Sequence, residues 1–499
     1  VSRATAIAAL LCLTAAACEA PATSPPGGLG PDTSEDAAAG PDTGPETDAG
    51  GGSTANLPWA GMAVVCSDYG STSVALVDAA GRTVTTPTLI HSGSLPPGVL
   101  PALGGDVDLP TTAPPDGSVL LLDRTPSAVL TFVDPATGAV RRQVSVATGF
   151  AANPHDALVV GGAGASGGTG GGQEGHGLPP GSVLVTRYDP NPTAEAAPRA
   201  ADAPAPLNAG DDLLLVGPEG AAVAALPFTE PDGFPGRPDR LVPVGPSTVW
   251  VSLNRVSRDW QRYREGAVAV VDVAGVRGTG EAAPTLTRRE TLPVADLTNC
   301  GALAVAPPRG EDVRSGSETG AEAGWPTTRA VALACGGTWQ VGTSSFDPDE
   351  SALVLWDVTP DGSGVERARL LASALPGAQA ARTFGPGLAV LPSGAVVATA
   401  YGSDGGGRAG RAAAGDVAVL WQPDTGQVQT LWEASAPWTL WAAQATLDGA
   451  VLLPVADDLD PELCRLEVGG GAPAVSCVDA CASTGLPPRA VRPFLHATR

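Results

Sequence analysis

Val133-Asp134-Pro135-Ala136-Thr137-Gly138 is the stretch that decides the fold. The Asp134 carboxylate can accept hydrogen bonds from the backbone N–H groups just ahead of it. Pro135 pre-sets φ for a turn, and Gly138 tolerates a positive φ. Ala128-Val129-Leu130-Thr131-Phe132 runs before the turn and Val140-Arg141-Arg142-Gln143-Val144 after it. Both show the period-two alternation and β-branched bias of strands, so the unit is a hairpin. Similar copies centre on Asp78, Gly217, Asp272, Asp357, Gln422 and Glu467, which makes seven.

Equivalent positions are 56, 83, 55, 85, 65 and 45 residues apart. The two longest intervals contain insertions, at 161–178 and 191–206 in one and 308–328 in the other. Without them the period approaches one four-stranded blade, roughly 40–50 residues. A blade cannot bury both its faces alone, but several arranged radially bury each other's. The expectation is an all-β chain with one β-propeller over residues 58–499, seven blades favoured, six or eight if the insertions blur the count. The 65 Gly and 49 Pro suit many short strands and turns. A net charge of −24 argues against nucleic acid and anionic lipid headgroups as partners and keeps a large exported protein soluble.

Residues 1–18 read as an export signal: Arg3 supplies the positive charge, and the apolar run Ala4–Ala17 is too short for a stable membrane span. The run ends Leu13-Thr14-Ala15-Ala16-Ala17-Cys18 and resembles a bacterial lipobox, which implies acylation at Cys18. Residues 19–57 carry seven acidic residues and no basic one among Pro, Gly, Ala, Thr and Ser. Such a composition cannot bury a core. It is that of a tether with a reach of roughly 35 Å. The expected location is the cell envelope, exported and lipid-anchored, at the outer membrane or its periplasmic face.

Met62-Ala63-Val64-Val65-Cys66, then Ser67-Asp68-Tyr69-Gly70-Ser71, then Ser73–Val77 and the Asp78 turn resemble the YVTN-type repeat of bacterial surface propellers. The resemblance extends to the hairpins at Asp134 and Asp272. It implies a propeller and no particular activity.

Outside the signal there remain Cys66, Cys300, Cys335, Cys464, Cys477 and Cys481, an even number in an exported chain, which reads as disulfides. Cys300 opens one strand and Cys335 closes the next, so the two are neighbours in an antiparallel pair. Cys464 and Cys477 flank the turn at Gly469–Gly471. Cys66 and Cys481 are left to tie the first strand to the C-terminal segment. The rival is a metal site of Cys477, Cys481 and His496, which lacks a fourth ligand. No metal or other cofactor is expected.

No sequence motif carries a complete chemistry. Gly164-Ala165-Ser166-Gly167-Gly168 fits Gly-x-Ser-x-Gly but lacks the strand and helix of a nucleophile elbow. Asp424-Thr425-Gly426-Gln427 with Trp432 is a single loose likeness to the repeat of quinoprotein dehydrogenases. The acidic groups at 347–350 and 457–462 lack the ligand alternation of a Ca²⁺ loop. Polar residues at strand ends offer more: Asp123 and Arg124, Asn153, His155 and Asp156, Arg187, and Asn254 with Arg255. If these ends share one channel mouth, they suit an anionic or sugar-like ligand. The leading expectation is a non-enzymatic envelope lipoprotein whose propeller binds a protein or glycan. The alternative is a lactonase-like hydrolase with an axial site including His155 and Asp156.

Overall fold

The structure, a computed structural model, describes residues 59–94, 100, 103–160, 178–193, 206–275, 284–307, 328–340, 345–376, 382–402, 414–457, 460–469, 471 and 473–496. The signal segment with Cys18, the tether and the Gly-x-Ser-x-Gly match lie outside these residues.

Seven four-stranded antiparallel sheets follow one another along the chain. In blades 2 to 7 strand order equals chain order, and the opening strands are Val107–Asp108, Pro154–Val159, Pro238–Pro243, Cys300–Val305, Thr383–Val390 and Gln444–Ala445. Blade 1 is composite. The last strand of the chain, Pro488–Leu495, pairs with Trp59–Ser67, followed by Thr72–Val77 and Val84–His91. From blade 3 to blade 7 the opening strand of each blade touches that of the next, which places these strands innermost around the central channel. The seven copies read from sequence each fall where the third strand of a blade gives way to the fourth; at Asp272 the third strand runs on to Ala274 and the turn lies outside the described residues. Pro437 lies in the loop between the strands Gln427–Glu433 and Gln444–Ala445, where no ladder needs its missing N–H.

The core consists of seven apolar clusters, one in each gap between blades. Strand geometry explains the division, because successive side chains point to opposite faces. On Trp59–Ser67, Met62, Val64 and Cys66 face blade 7, while Ala63 and Val65 face blade 2. Strands apolar on both faces, such as Val119-Leu120-Leu121-Leu122, follow from being sandwiched. Each Val or Leu so buried contributes about 1.5–3 kcal/mol.

This topology gives the ring two unlike faces. Connections between second and third strands, and from one blade to the next, open on one face, called upper here. Those between first and second and between third and fourth strands open on the lower face, where the described chain ends, Trp59 and Leu495, are paired. Twelve described non-glycine residues have positive φ, among them Tyr69, Asn153, Arg237, Arg255, Trp260 and Trp438, and all twelve lie at the upper face. Every described positive-φ residue of the lower turns is glycine, Gly138 included. Left-handed conformations of bulky residues cost on the order of 1–3 kcal/mol each and gather at functional sites.

Three disulfides form: Cys66–Cys481, Cys300–Cys335 and Cys464–Cys477. Cys300 and Cys335 are register partners, as are Cys464 and Cys477. Cys66–Cys481 bridges the second strand of blade 1 to the connection arriving from blade 7, spanning 415 residues of sequence. The rival metal set thereby loses both its thiolates.

Candidate site at the upper mouth of the channel

The innermost strands of three blades begin the same way, with Pro154-His155, Pro238-Asp239-Arg240 and Pro488-Arg489. A proline has no N–H to give to a ladder and suits a first strand position. The polar residues after it are skipped by the register: pairing jumps from Pro154 to Asp156, from Pro238 to Leu241, and past Arg489. These are β-bulges, which re-aim side chains. Here they turn His155, Asp239, Arg240 and Arg489 out of the blade walls at the upper end of the channel.

His155 Nδ1 lies 2.9 Å from Asp239 Oδ1. Asn254 Nδ2 donates to the other oxygen, Asp239 Oδ2, at 2.9 Å. Burial works against the Asp239 charge, but the His155 ring, Arg240 and Asn254 outweigh it and hold the carboxyl well below the usual carboxylate range. An ionised Asp239 can only accept, so Nδ1 carries a proton, and in the neutral form of the ring the lone pair is on Nε2. Nε2 has no partner among the described residues. The His155 ring stacks on Tyr188 with centroids 4.1 Å apart and planes 9° from parallel. Tyr188 stacks in turn on Trp260, and the Arg237 guanidinium lies over both Tyr188 and Trp260, anchored by Asp189. Burial pushes the Tyr188 hydroxyl well above its ordinary pKa, so it stays neutral.

Arg240 joins this pair to the next blade. It reaches Asp108 Oδ2 at 2.5 Å and donates to the His155 carbonyl at 3.0 Å. Burial opposes ionisation of Asp108, yet Arg240 and Arg124 bring its pKa down to about 2. Arg124 forks onto Asp106. Arg492, on the innermost strand of blade 1, is lowered to about 10 by burial and then by the charge of Arg240. The mouth thus carries interleaved fixed charges of both signs.

Of the eight residues singled out from sequence, His155 and Asn254 meet at Asp239, and Arg124 reaches the same charge network through Asp108. The others hold the scaffold. Asp156, expected beside His155, turns its carboxylate into the wall, where it accepts from the backbone N–H groups of Thr111, Ala157 and Leu241. Burial raises its pKa, and it ties blades 2, 3 and 4 together. Arg187 is fully buried on Asp212. Arg255 pairs with Glu230, Asn153 donates to Asp189, and Asp123 accepts from the Gly104 N–H. Asp239 and Arg240 went unread from sequence. The recurrent proline followed by a polar residue is the signal that marks them.

A second group faces the same mouth from blades 6, 7 and 1. Tyr401 lies 4.5 Å from Trp438 and 6.4 Å from Trp441, and Trp441 lies 6.1 Å from Tyr69. The Arg489 guanidinium sits over Trp441 at 4.3 Å and over Tyr69 at 5.0 Å. Tyr69 belongs to the described large hydrophobics that are exposed, at 39%.

No family model matches the chain, and no curated protein matches it in sequence. Solved structures do. The periplasmic gluconolactonase of Pseudomonas aeruginosa is 13% identical with TM-score 0.50, over 88% of this chain and 99% of that one. A protein from Lactobacillus plantarum is 11% identical with TM-score 0.50, over 87% and 99%. At such identities the likeness is one of fold: residues 59–495 form a seven-bladed β-propeller closed by the pairing of its first and last strands.

Proposed function

We propose that the upper mouth is a hydrolytic site for a small ester, a lactone in the first instance. The observation that carries this is the locked pair: His155 Nδ1 on Asp239, Tyr188 behind the ring, and Nε2 without a partner among the described residues. A histidine so oriented is a general base. Nε2 takes a proton from water, the water oxygen bonds to the ester carbonyl carbon, and the negative oxygen that forms is met by the guanidinium groups of the mouth. Collapse breaks the ring C–O bond, and the proton passes from Nε2 to the departing alkoxide. One hydroxy acid results from one lactone and one water. The description of the Pseudomonas aeruginosa neighbour as a gluconolactonase supports lactones as the first substrates to try. The disulfides are consistent with an exported protein, and we propose anchoring through an acylated Cys18.

The test is a pH-stat assay of the oxidised full chain against aldonolactones and aryl esters, corrected for spontaneous hydrolysis. His155→Ala is expected to lower kcat by a factor on the order of 10²–10⁴ and Asp239→Asn by a similar factor, with the thermal midpoint of His155→Ala within a few degrees of wild type. Turnover no faster than that of His155→Ala would leave the mouth as a site that binds a glycan or protein partner without catalysis.

A further inference from the structure

The hydrolytic pair occupies blades 3 and 4. Across the mouth, blades 6, 7 and 1 present Tyr69, Tyr401, Trp438 and Trp441, with Arg489 among them. These rings are only part-buried, whereas Trp250 and Trp421 fill gaps between blades at 2% exposure or less. Apolar packing therefore does not account for them. The backbone holds them deliberately: Tyr69 and Trp438 both have φ in the left-handed region, 66° and 63°. Asp416, in the connection that precedes the third strand of blade 6, accepts backbone N–H bonds from Trp438, Thr439 and Leu440 and fixes the loop that carries both tryptophans. Gly387 is bare because a Cβ there would lie 2.5 Å from the Trp441 carbonyl, so this loop is pressed against the innermost strand of blade 6. The group also belongs to the mouth electrically, since the Tyr69 hydroxyl feels Arg489, Arg124, Asp106 and Asp108.

We infer that this wall is a carbohydrate subsite, on which the C–H face of a saturated sugar ring stacks while its hydroxyl edge meets the charges of blades 2 to 4. A pyranose has that division into an apolar face and a polar rim, and aromatic rings beside fixed donors and acceptors complement it. An organic cation, the other common occupant of an aromatic cluster, is opposed by Arg489, whose charge already lies over Trp441 and Tyr69. The Trp441 Nε1–H, buried and without an acceptor among the described residues, is one more polar group that the protein itself leaves unmet. The inference rests on the hydrolase reading only in calling this ligand the substrate; binding itself requires no turnover.

Titration of the oxidised full chain with methyl β-D-glucopyranoside, followed by tryptophan fluorescence and by indole N–H shifts in NMR, tests it. The glycoside has no ester and is inert to hydrolysis. Saturable binding is expected, weakened about tenfold by Trp441→Ala and by Tyr69→Ala, the size of one or two aromatic contacts. Trp441→Phe should recover part of the loss, which guards against a variant that merely folds poorly. Tetramethylammonium should not compete. Absence of glycoside binding to wild type, binding that both alanine variants retain in full, or displacement by tetramethylammonium would each overturn the inference, whatever lactones do. Glycoside binding without lactone turnover would overturn the hydrolase reading and leave the subsite standing.

Discussion

Gly301 is bare because Asp239 occupies the room a side chain would take: a Cβ there would lie 2.4 Å from Asp239 Oδ2 and 3.1 Å from Asn254 Oδ1. Gly301→Ala should therefore push the carboxylate off His155. The expected result is at least a tenfold fall in lactone turnover with a loss of stability of only about 1–2 kcal/mol, read from kcat and a urea midpoint. Unchanged turnover would remove Asp239 from the mechanism. Asp211 makes a different prediction. It is fully buried and accepts from Thr229 and from the backbone N–H groups of Gly236 and Arg237. Burial still wins and raises its pKa to about 7. Unfolded Asp titrates near 3.9, so the native chain holds this proton more tightly. The stability it contributes is complete below about pH 4 and is lost as the pH rises through 7, on the order of 4 kcal/mol in all. Thermal midpoints of wild type should carry this decline between pH 4 and 8, and Asp211→Asn should flatten it. Asp108 acts in the opposite sense, stabilising above about pH 4 and failing as the pH falls toward 2.

At the scale of strands and loops, buried carboxylates tie upper connections to their blades. Asp416 gathers four backbone N–H groups, those of Gly402, Trp438, Thr439 and Leu440. Asp416→Ala would strand several buried donors at once, for an expected loss of about 2–4 kcal/mol. Hydrogen exchange should quicken across residues 436–441 and stay slow in blades 3 and 4; uniform quickening would mean that the loop is not a local unit. The strands and their turns were legible because the hairpin between third and fourth strands repeats one grammar, with Asp134 and Gly138 as its clearest statement. The mouth was less legible. Alternation along a strand gives the face of a residue only while the register is regular, and at Pro154-His155 and Pro238-Asp239-Arg240 it is not. Hence, read from sequence, His155 goes with its neighbour Asp156, whereas the fold brings His155 to Asp239 and turns Asp156 into the wall. Tyr69 stood inside the stretch that resembled a surface repeat, yet nothing local joined it to Trp441, far along the chain. Such pairs become visible only once the ring is closed.

On the scale of the molecule, closure is achieved twice in blade 1, by strand pairing between the chain's two ends and by the Cys66–Cys481 bond. In the chain-entropy account a disulfide stabilises more as its loop lengthens, from roughly 3 kcal/mol for a short loop such as Cys464–Cys477 to about 6 kcal/mol for the longest, Cys66–Cys481. Replacing both members of each pair by Ser should therefore lower the urea midpoint most for Cys66/Cys481 and least for Cys464/Cys477. The reverse order would locate the stabilisation in native contacts and not in the unfolded chain. The paired ends also lie on the lower face, opposite the bulges and the aromatic wall. A propeller gripped beside Trp59 and Leu495, on a sensor chip or an affinity bead, keeps its mouth turned to the liquid.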